Sequence, residues 1–149
     1  MLSRKSKYGL KALLLLAEAE DRGPVLVAEL ADREAIPKKF LEAILLELNR
    51  RGIVHSKKGK GGGYFLARKP SEITFGEVIR ALEGPLAWVP CVSQTAYRTC
   101  AECVDEATCG VRLAMKEVRD ATAKILDHTT LADVNKQRAR KRRRASRSH

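Results

Sequence analysis

Leu10, Leu13, Leu14 and Ala17 fall at i, i+3, i+4 and i+7, the spacing that lines one face of an α-helix, and predict a first helix over about residues 5–20. Gly23-Pro24 breaks it. Residues 27–34 read as a short second helix with Ala28, Leu30 and Ala31 as small packing positions. A third helix takes its apolar stripe from Leu41, Ile44, Leu45 and Leu48, with Pro37 in its first turn, where a missing N–H is no loss. Lys38, Lys39, Glu42, Ala43 and Asn49 fall on the polar side of that helix.

Gly52 is placed to end the third helix in a left-handed conformation. Ile53-Val54-His55-Ser56 and Tyr64-Phe65-Leu66-Ala67 then bracket a basic, glycine-rich turn, the pattern of a β-hairpin. Thr74-Phe75-Gly76-Glu77 has the S/T-x-x-E form of a capping box and opens a fourth helix through Leu82, closed by Gly84-Pro85. Three helices followed by a hairpin is the order of a winged helix-turn-helix. Farther on, Val111, Met115, Val118, Thr122 and Ile125 step by four, three, four and three, a heptad seam. Such a helix can pack on its own domain. Following a winged domain that is already complete, it reads better as a dimerisation helix. The expected fold is mainly α with a small β-hairpin: a winged helix-turn-helix followed by a long C-terminal dimerisation helix.

Composition narrows the picture. Of 149 residues, 44% are hydrophobic but only 5% aromatic, so the core is aliphatic. The longest apolar run, Ala12 to Ala17 between Lys11 and Glu18, is far short of the roughly 20 residues that span a bilayer. Neither a membrane partner nor secretion is expected, and the chain is read as cytoplasmic. The net charge of +11 is unevenly placed, because residues 136–149 carry Lys136, Arg138, Arg140, Lys141, Arg142, Arg143, Arg144 and Arg147 and no acid. With no apolar residue to bury, that stretch is predicted to be a disordered basic tail, suited to a polyanion or simply solvated.

The turn Lys57-Lys58-Gly59-Lys60-Gly61-Gly62-Gly63 lacks the G-x-x-x-x-G-K-[ST] order of a phosphate loop and precedes a strand. Its glycines permit close approach and its lysines neutralise phosphate, which fits a DNA-binding wing. Candidate DNA contacts are Lys5 at the start of the first helix, Lys38 and Lys39 opening the third, and Lys57, Lys58, Lys60, Gly61 and Gly62 in the wing.

All four cysteines, Cys91, Cys100, Cys103 and Cys109, lie in one polar segment. In a reducing compartment such clusters more often bind metal than form disulfides. A zinc site is open to them, although only Cys100 and Cys103 have the close C-x2-C spacing. A reversible disulfide needs two thiols only. His55, His128 and His149 are given ordinary surface roles, and Trp88 and Pro90 are expected to pack the loop onto the domain. No nucleophile–base pair or paired carboxylates mark a catalytic pocket, so the chain is not read as an enzyme.

The segments Ala35-Ile36-Pro37-Lys38-Lys39-Phe40-Leu41-Glu42-Ala43-Ile44-Leu45, Arg51-Gly52-Ile53-Val54, Gly61-Gly62-Gly63-Tyr64-Phe65-Leu66-Ala67-Arg68 and residues 73–84 (ITFGEVIRALEG) occur in order. Together they resemble the IscR/NsrR/RirA family of bacterial winged-helix transcription regulators from about Met1 to Val134. The resemblance implies a homodimer with the third helix as recognition helix, so that Lys38, Lys39, Phe40 and Glu42 face the major groove, where Glu42 can accept from cytosine. It places Lys58 where relatives often carry a minor-groove arginine. It also implies an iron–sulfur cluster, [2Fe-2S] or [4Fe-4S], on Cys91, Cys103 and Cys109, with Cys100 as a fourth or alternative ligand. Two ligands used by some relatives are absent: Arg112 stands where a histidine is found, and Lys7 where an acidic residue is found.

The implied units are a DNA-binding domain at 1–84, a cysteine-rich sensor loop at 85–109, a dimerisation helix and C-terminal segment at 110–135, and the basic tail at 136–149. The implied function is sequence-specific regulation of transcription, as a repressor at a palindromic double-stranded DNA operator, with the cluster reporting iron, oxidants or nitric oxide. The alternatives are a zinc or thiol-switch regulator of the same fold, a metal or redox protein that does not bind DNA, and an RNA-binding protein dominated by its tail.

Overall fold

The computed structural model describes residues 2–148. It contains α1 (Arg4–Glu18), α2 (Val27–Glu34), α3 (Lys38–Arg50), β1 (Val54–Lys57), β2 (Gly63–Leu66), α4 (Phe75–Leu82), α5 (Gly110–Leu126) and α6 (Leu131–Arg147). Short 3-10 turns stand at Glu20–Arg22, Pro70–Glu72 and Pro90–Val92.

Helix α1 starts at Ser3, whose side chain accepts from the Ser6 N–H at 3.2 Å. Its apolar face, Leu10, Leu13, Leu15 and Leu16, is buried against α3 and α4. Gly9 makes that approach possible, since a Cβ there would stand 2.5 Å from the Leu82 side chain on α4. Helix α2 ends with Ala35 in the left-handed conformation (φ 54°), which turns Ile36 into the core with its N–H on the Ala31 carbonyl. Pro37 is then the N-cap of α3, one position before the first-turn place expected for it, and its carbonyl accepts from Leu41. The stripe Leu41, Ile44, Leu45 and Leu48 is fully buried, as its spacing predicts. Gly52 follows the helix with φ +74°.

Strands β1 and β2 pair antiparallel from Val54↔Leu66 to Lys57↔Gly63. The hairpin is tied down by Val25, which exchanges two 2.8 Å backbone hydrogen bonds with Tyr64. Gly63 lies directly against Val25, where a Cβ would come within 2.4 Å of the Val25 carbonyl. Only half of the expected capping box forms at α4. Thr74 accepts from the Glu77 N–H, but the Glu77 carboxylate turns away to pair with Arg68.

A reciprocal capping box forms instead at α6, between Thr130 and Asp133. Residues 136–147 are therefore helical, contrary to the disordered tail that composition predicted. Arginine, lysine and alanine are good helix formers, and tertiary contacts supply what apolar residues do not. Leu131 is wholly buried, Asn135 donates to the Leu14 carbonyl at 3.0 Å, and Arg138 and Arg142 each stand 3.4 Å from the Glu18 carboxylate. His149 lies outside the described residues.

The turn between α5 and α6 is clamped to α4. Phe75 donates to the Thr129 carbonyl, Leu131 donates to the Ile73 carbonyl, and Arg80 grips Asp127 with two hydrogen bonds of 2.5 and 3.0 Å. On α5, Val111, Val118 and Ile125 of the heptad seam are exposed in the single chain, while Met115 and Thr122 are half-buried. Among the described residues no helix is long and apolar enough to cross a membrane.

Candidate nucleic-acid interface and cysteine cavity

The helix-turn-helix presents Lys38, Lys39 and Glu42 on the exposed side of α3, because the i, i+3, i+4 apolar stripe fixes the opposite side in the core. Phe40 is anchored differently. Its ring meets Tyr8 of α1 edge-on, with centroids 5.6 Å apart, and only part of it reaches solvent. Lys5 pairs with Glu47 of α3 at 2.6 Å, so its charge is already partly matched within the protein. Its place at the α1–α3 contact shows a bracing role that spacing could not reveal.

Lys57, Lys58, Lys60 and Gly61 are exposed around the wing turn. Gly62, grouped with them from sequence, is buried. A Cβ on it would stand 2.3 Å from the Lys57 carbonyl oxygen and 2.7 Å from that of Gly59. Its N–H donates to the Gly59 carbonyl, so this glycine closes the turn and presents nothing outward. The wing and the start of α3 thus form a surface rich in free cations beside one carboxylate, Glu42.

Apart from the 3-10 turn Pro90–Val92, the cysteine segment is built without regular structure. Its start is buried through Cys91, Val92 and Ser93, while Trp88 and Pro90, expected to pin it, are exposed. The Ser93 hydroxyl accepts from the N–H groups of Thr95 and Ala96, and the Pro90 carbonyl accepts from Arg98. Asp105 holds Ala107 and Thr108, and the Tyr97 hydroxyl donates to Glu106. The Ser93 and Asp105 bonds close local turns, while those of Arg98 and Tyr97 span eight and nine residues of the same segment.

Cys91, Cys100, Cys103 and Cys109 nevertheless line one cavity of about 270 Å³, shared with Val89, Glu102, Val111 and Arg112. All four are free thiols. Cys109 is the N-cap of α5, at the helix end whose dipole favours negative charge. Burial pushes the Cys100 thiol up from its usual range, with neighbouring Cys91 adding to the effect; burial also raises Cys103, followed by Glu106 and Cys109. Arg112, lining the cavity, has an Nε that is buried without a hydrogen-bond partner. No group of three or more His, Cys, Asp or Glu side chains among the described residues is drawn together tightly enough for a single metal ion. Lys7 is exposed on α1.

Two features here escaped the sequence. That the cavity gathers residues from 89 to 112 depends on the fold of a loop with no periodicity. The Arg80–Asp127 clamp joins residues far apart in the chain, and only the close fit at Gly76 hints at it: a Cβ there would stand 2.0 Å from the Asp127 carboxylate.

Comparison with known proteins places these features in a family. Residues 2–137 match the Rrf2 family, described as iron-dependent transcriptional regulators. An rrf2-like HTH-type transcriptional regulator of Rhodobacter capsulatus is 42% identical over 137 residues, covering 90% of this chain and 91% of that protein. Among solved structures, CymR, the global cysteine regulator of B. subtilis, superposes with a TM-score of 0.75 at 32% identity, covering 90% of this chain and 95% of the other. IscR of T. potens does so with a TM-score of 0.73 at 30% identity, over 92% and 87%.

Proposed function

Because this chain belongs to the Rrf2 family of transcriptional regulators, we propose that it binds a palindromic DNA operator as a homodimer and is switched by an iron–sulfur cluster on its four cysteines. The observation that carries the sensing part is the shared cavity of Cys91, Cys100, Cys103 and Cys109 at the start of α5. The donor set suits a cluster: four thiols, two flanking valines to limit water, and an orphaned Arg112 Nε able to donate to sulfur. Thiols spread around a cavity of this size fit a multi-atom group better than a lone zinc ion, whose ligands close to about 2.3 Å from one centre.

When bound, the cluster supplies one-electron chemistry and sensitivity to oxidants. The residues around it supply the coupling. Cys91 lies within the 3-10 turn Pro90–Val92, and Cys109 is the N-cap of α5, so holding one group between them ties those two segments together. At its far end α5 is locked to α4 by Asp127 and Arg80. Reordering residues 91–109 therefore shifts α5 against the domain that carries α3. If the exposed seam Val111, Val118 and Ile125 pairs with a second copy, the same shift alters the spacing of two recognition helices over their half-sites.

Lys38, Lys39 and Glu42 read the operator, and the wing lysines position it through phosphates. A regulator of this fold without a cluster is the second reading, favoured by the likeness to CymR. Anaerobic purification with an absorption spectrum and iron, sulfide and zinc assays separates the two. Coloured protein with iron and sulfide, lost in Cys109→Ser, is the expected result. Colourless protein with stoichiometric zinc, or with no metal, overturns the cluster.

A further inference from the structure

We propose that the outer face of α6 is a second, sequence-independent contact to duplex DNA, made by Arg140, Arg143, Arg144 and Arg147. These four fall at i, i+3, i+4 and i+7, one continuous stripe along the helix. The residues that dock α6, namely Leu131, Asn135, Arg138 and Arg142, lie about 160° away around the axis at 100° per residue. The docked face uses its two arginines on Glu18. All four arginines of the outer stripe are exposed, and among the described residues none has an ion-pair partner.

A solvated helix face ordinarily mixes both signs of charge. Here like charges recur at i+3 and i+4, an arrangement that works against the helix until an anion covers it. The stripe is roughly 10 Å long, about three steps of 3.4 Å along a duplex strand. Its chemistry selects among polyanions. Residues 139–148 carry no aromatic side chain on which unpaired bases could stack, which disfavours single-stranded RNA. They carry no large apolar side chain to enter a membrane surface. What is left is recognition of phosphate alone, in a chain that already carries a winged DNA reader.

The placement agrees. Asn135 on Leu14 and Arg138 and Arg142 on Glu18 seat α6 at the C-terminal end of α1. From that end the chain passes to Val25, which is bonded to Tyr64 at the base of the wing, while Tyr8 and Lys5 tie the other end of α1 to α3. The arm is therefore seated at the end of α1 whose following segment is bonded to the wing strand β2, and it is seated there whether or not the cysteines hold a cluster.

The test is titration of a random-sequence DNA duplex against salt, read by fluorescence anisotropy, for the parent chain and a variant with Arg140, Arg143, Arg144 and Arg147 all changed to Gln. Glutamine keeps the helix and removes the charge. The expected result is weaker binding, roughly tenfold or more at low salt, with the slope of log K against log salt shallower by about 0.9 for every arginine that met a phosphate. A second variant with all four as lysine retains the slope. Circular dichroism checks that α6 is kept in both. Slopes that coincide for parent and glutamine variant overturn the assignment. So does a larger loss on single-stranded RNA or on phosphatidylserine vesicles than on the duplex, which would give the stripe to those partners. Changing Lys38 and Lys39 to alanine in parallel separates failure of this arm from failure of the wing-and-helix reading.

Discussion

Between Arg4 and Leu82 every α-helix buries an apolar face, with Leu13, Leu30, Leu41, Ile44, Leu45, Leu48, Ile53 and Val54 fully enclosed. Between Leu82 and Gly110 the chain makes one 3-10 turn and is held by hydrogen bonds within the same segment. The first region orients Lys38 and Lys39 outward because the buried stripe Leu41, Ile44, Leu45 and Leu48 fixes the opposite side of α3. The second brings four thiols to one cavity with little apolar enclosure beyond Cys91 and Val92. The difference assigns them different dependence on what is added. The first half is enclosed within a single chain, while the cysteine half has four free thiols around one cavity, an Arg112 Nε without a hydrogen-bond partner and an exposed helical seam beside it.

The largest expected effect follows from that contrast. Leu45→Ala, which empties a fully buried position, is expected to lower stability by about 2–5 kcal/mol in urea unfolding, whereas Val104→Ala, fully exposed in the loop, stays within about 0.5 kcal/mol. Similar losses at both positions would mean that the loop is as much a part of the core as α3. Next comes the joint between the two regions. Gly76→Ala drives a methyl into the Asp127 carboxylate and is expected to destabilise by about 1–3 kcal/mol. An unchanged midpoint would show that the α5–α6 turn moves freely on α4.

What could be read in advance follows the same division. The apolar period of α1 and α3, the bounds of α2 and the left-handed Gly52 are written locally, so residues 4–82 were legible nearly element by element. The cysteine segment announced its chemistry but not its geometry, because burial of residues 91–93 and exposure of Trp88 depend on contacts that no period encodes. Gly62 and Gly61 look alike in sequence, and only the carbonyls packed against Gly62 separate a turn-closing glycine from an outward one. Helix α6 was missed because its anchors, Leu14 and Glu18, lie more than a hundred residues away, although Thr130 followed by Asp133 was a readable cap. Removing that cap with Thr130→Ala is expected to cost about 1 kcal/mol and to fray the start of α6 in hydrogen exchange. Unchanged exchange there would leave the start of α6 held by Leu131 and its bond to Ile73, and by the contacts of α6 with α1.

The smallest effect is also the most specific to the joint. The Arg80 guanidinium, by its hydrogen bonds first, holds the Asp127 carboxyl below the usual aspartate range, against the opposing effect of burial. A carboxyl depressed in the folded chain adds stability above its unfolded value near pH 3.9 and loses it as pH falls through the lower folded value. Both partners are about a third exposed, so the contribution is small, under about 1 kcal/mol. Asp127→Asn is therefore expected to lower stability slightly at neutral pH and to flatten the acid limb of the stability profile below about pH 4. The two chains would converge at the lowest pH, where Asp127 is protonated and the pair is lost anyway. Parallel acid limbs in the two chains would show that Asp127 does not fasten α5 to α4 by its charge, leaving that task to the backbone bonds of Phe75 and Leu131.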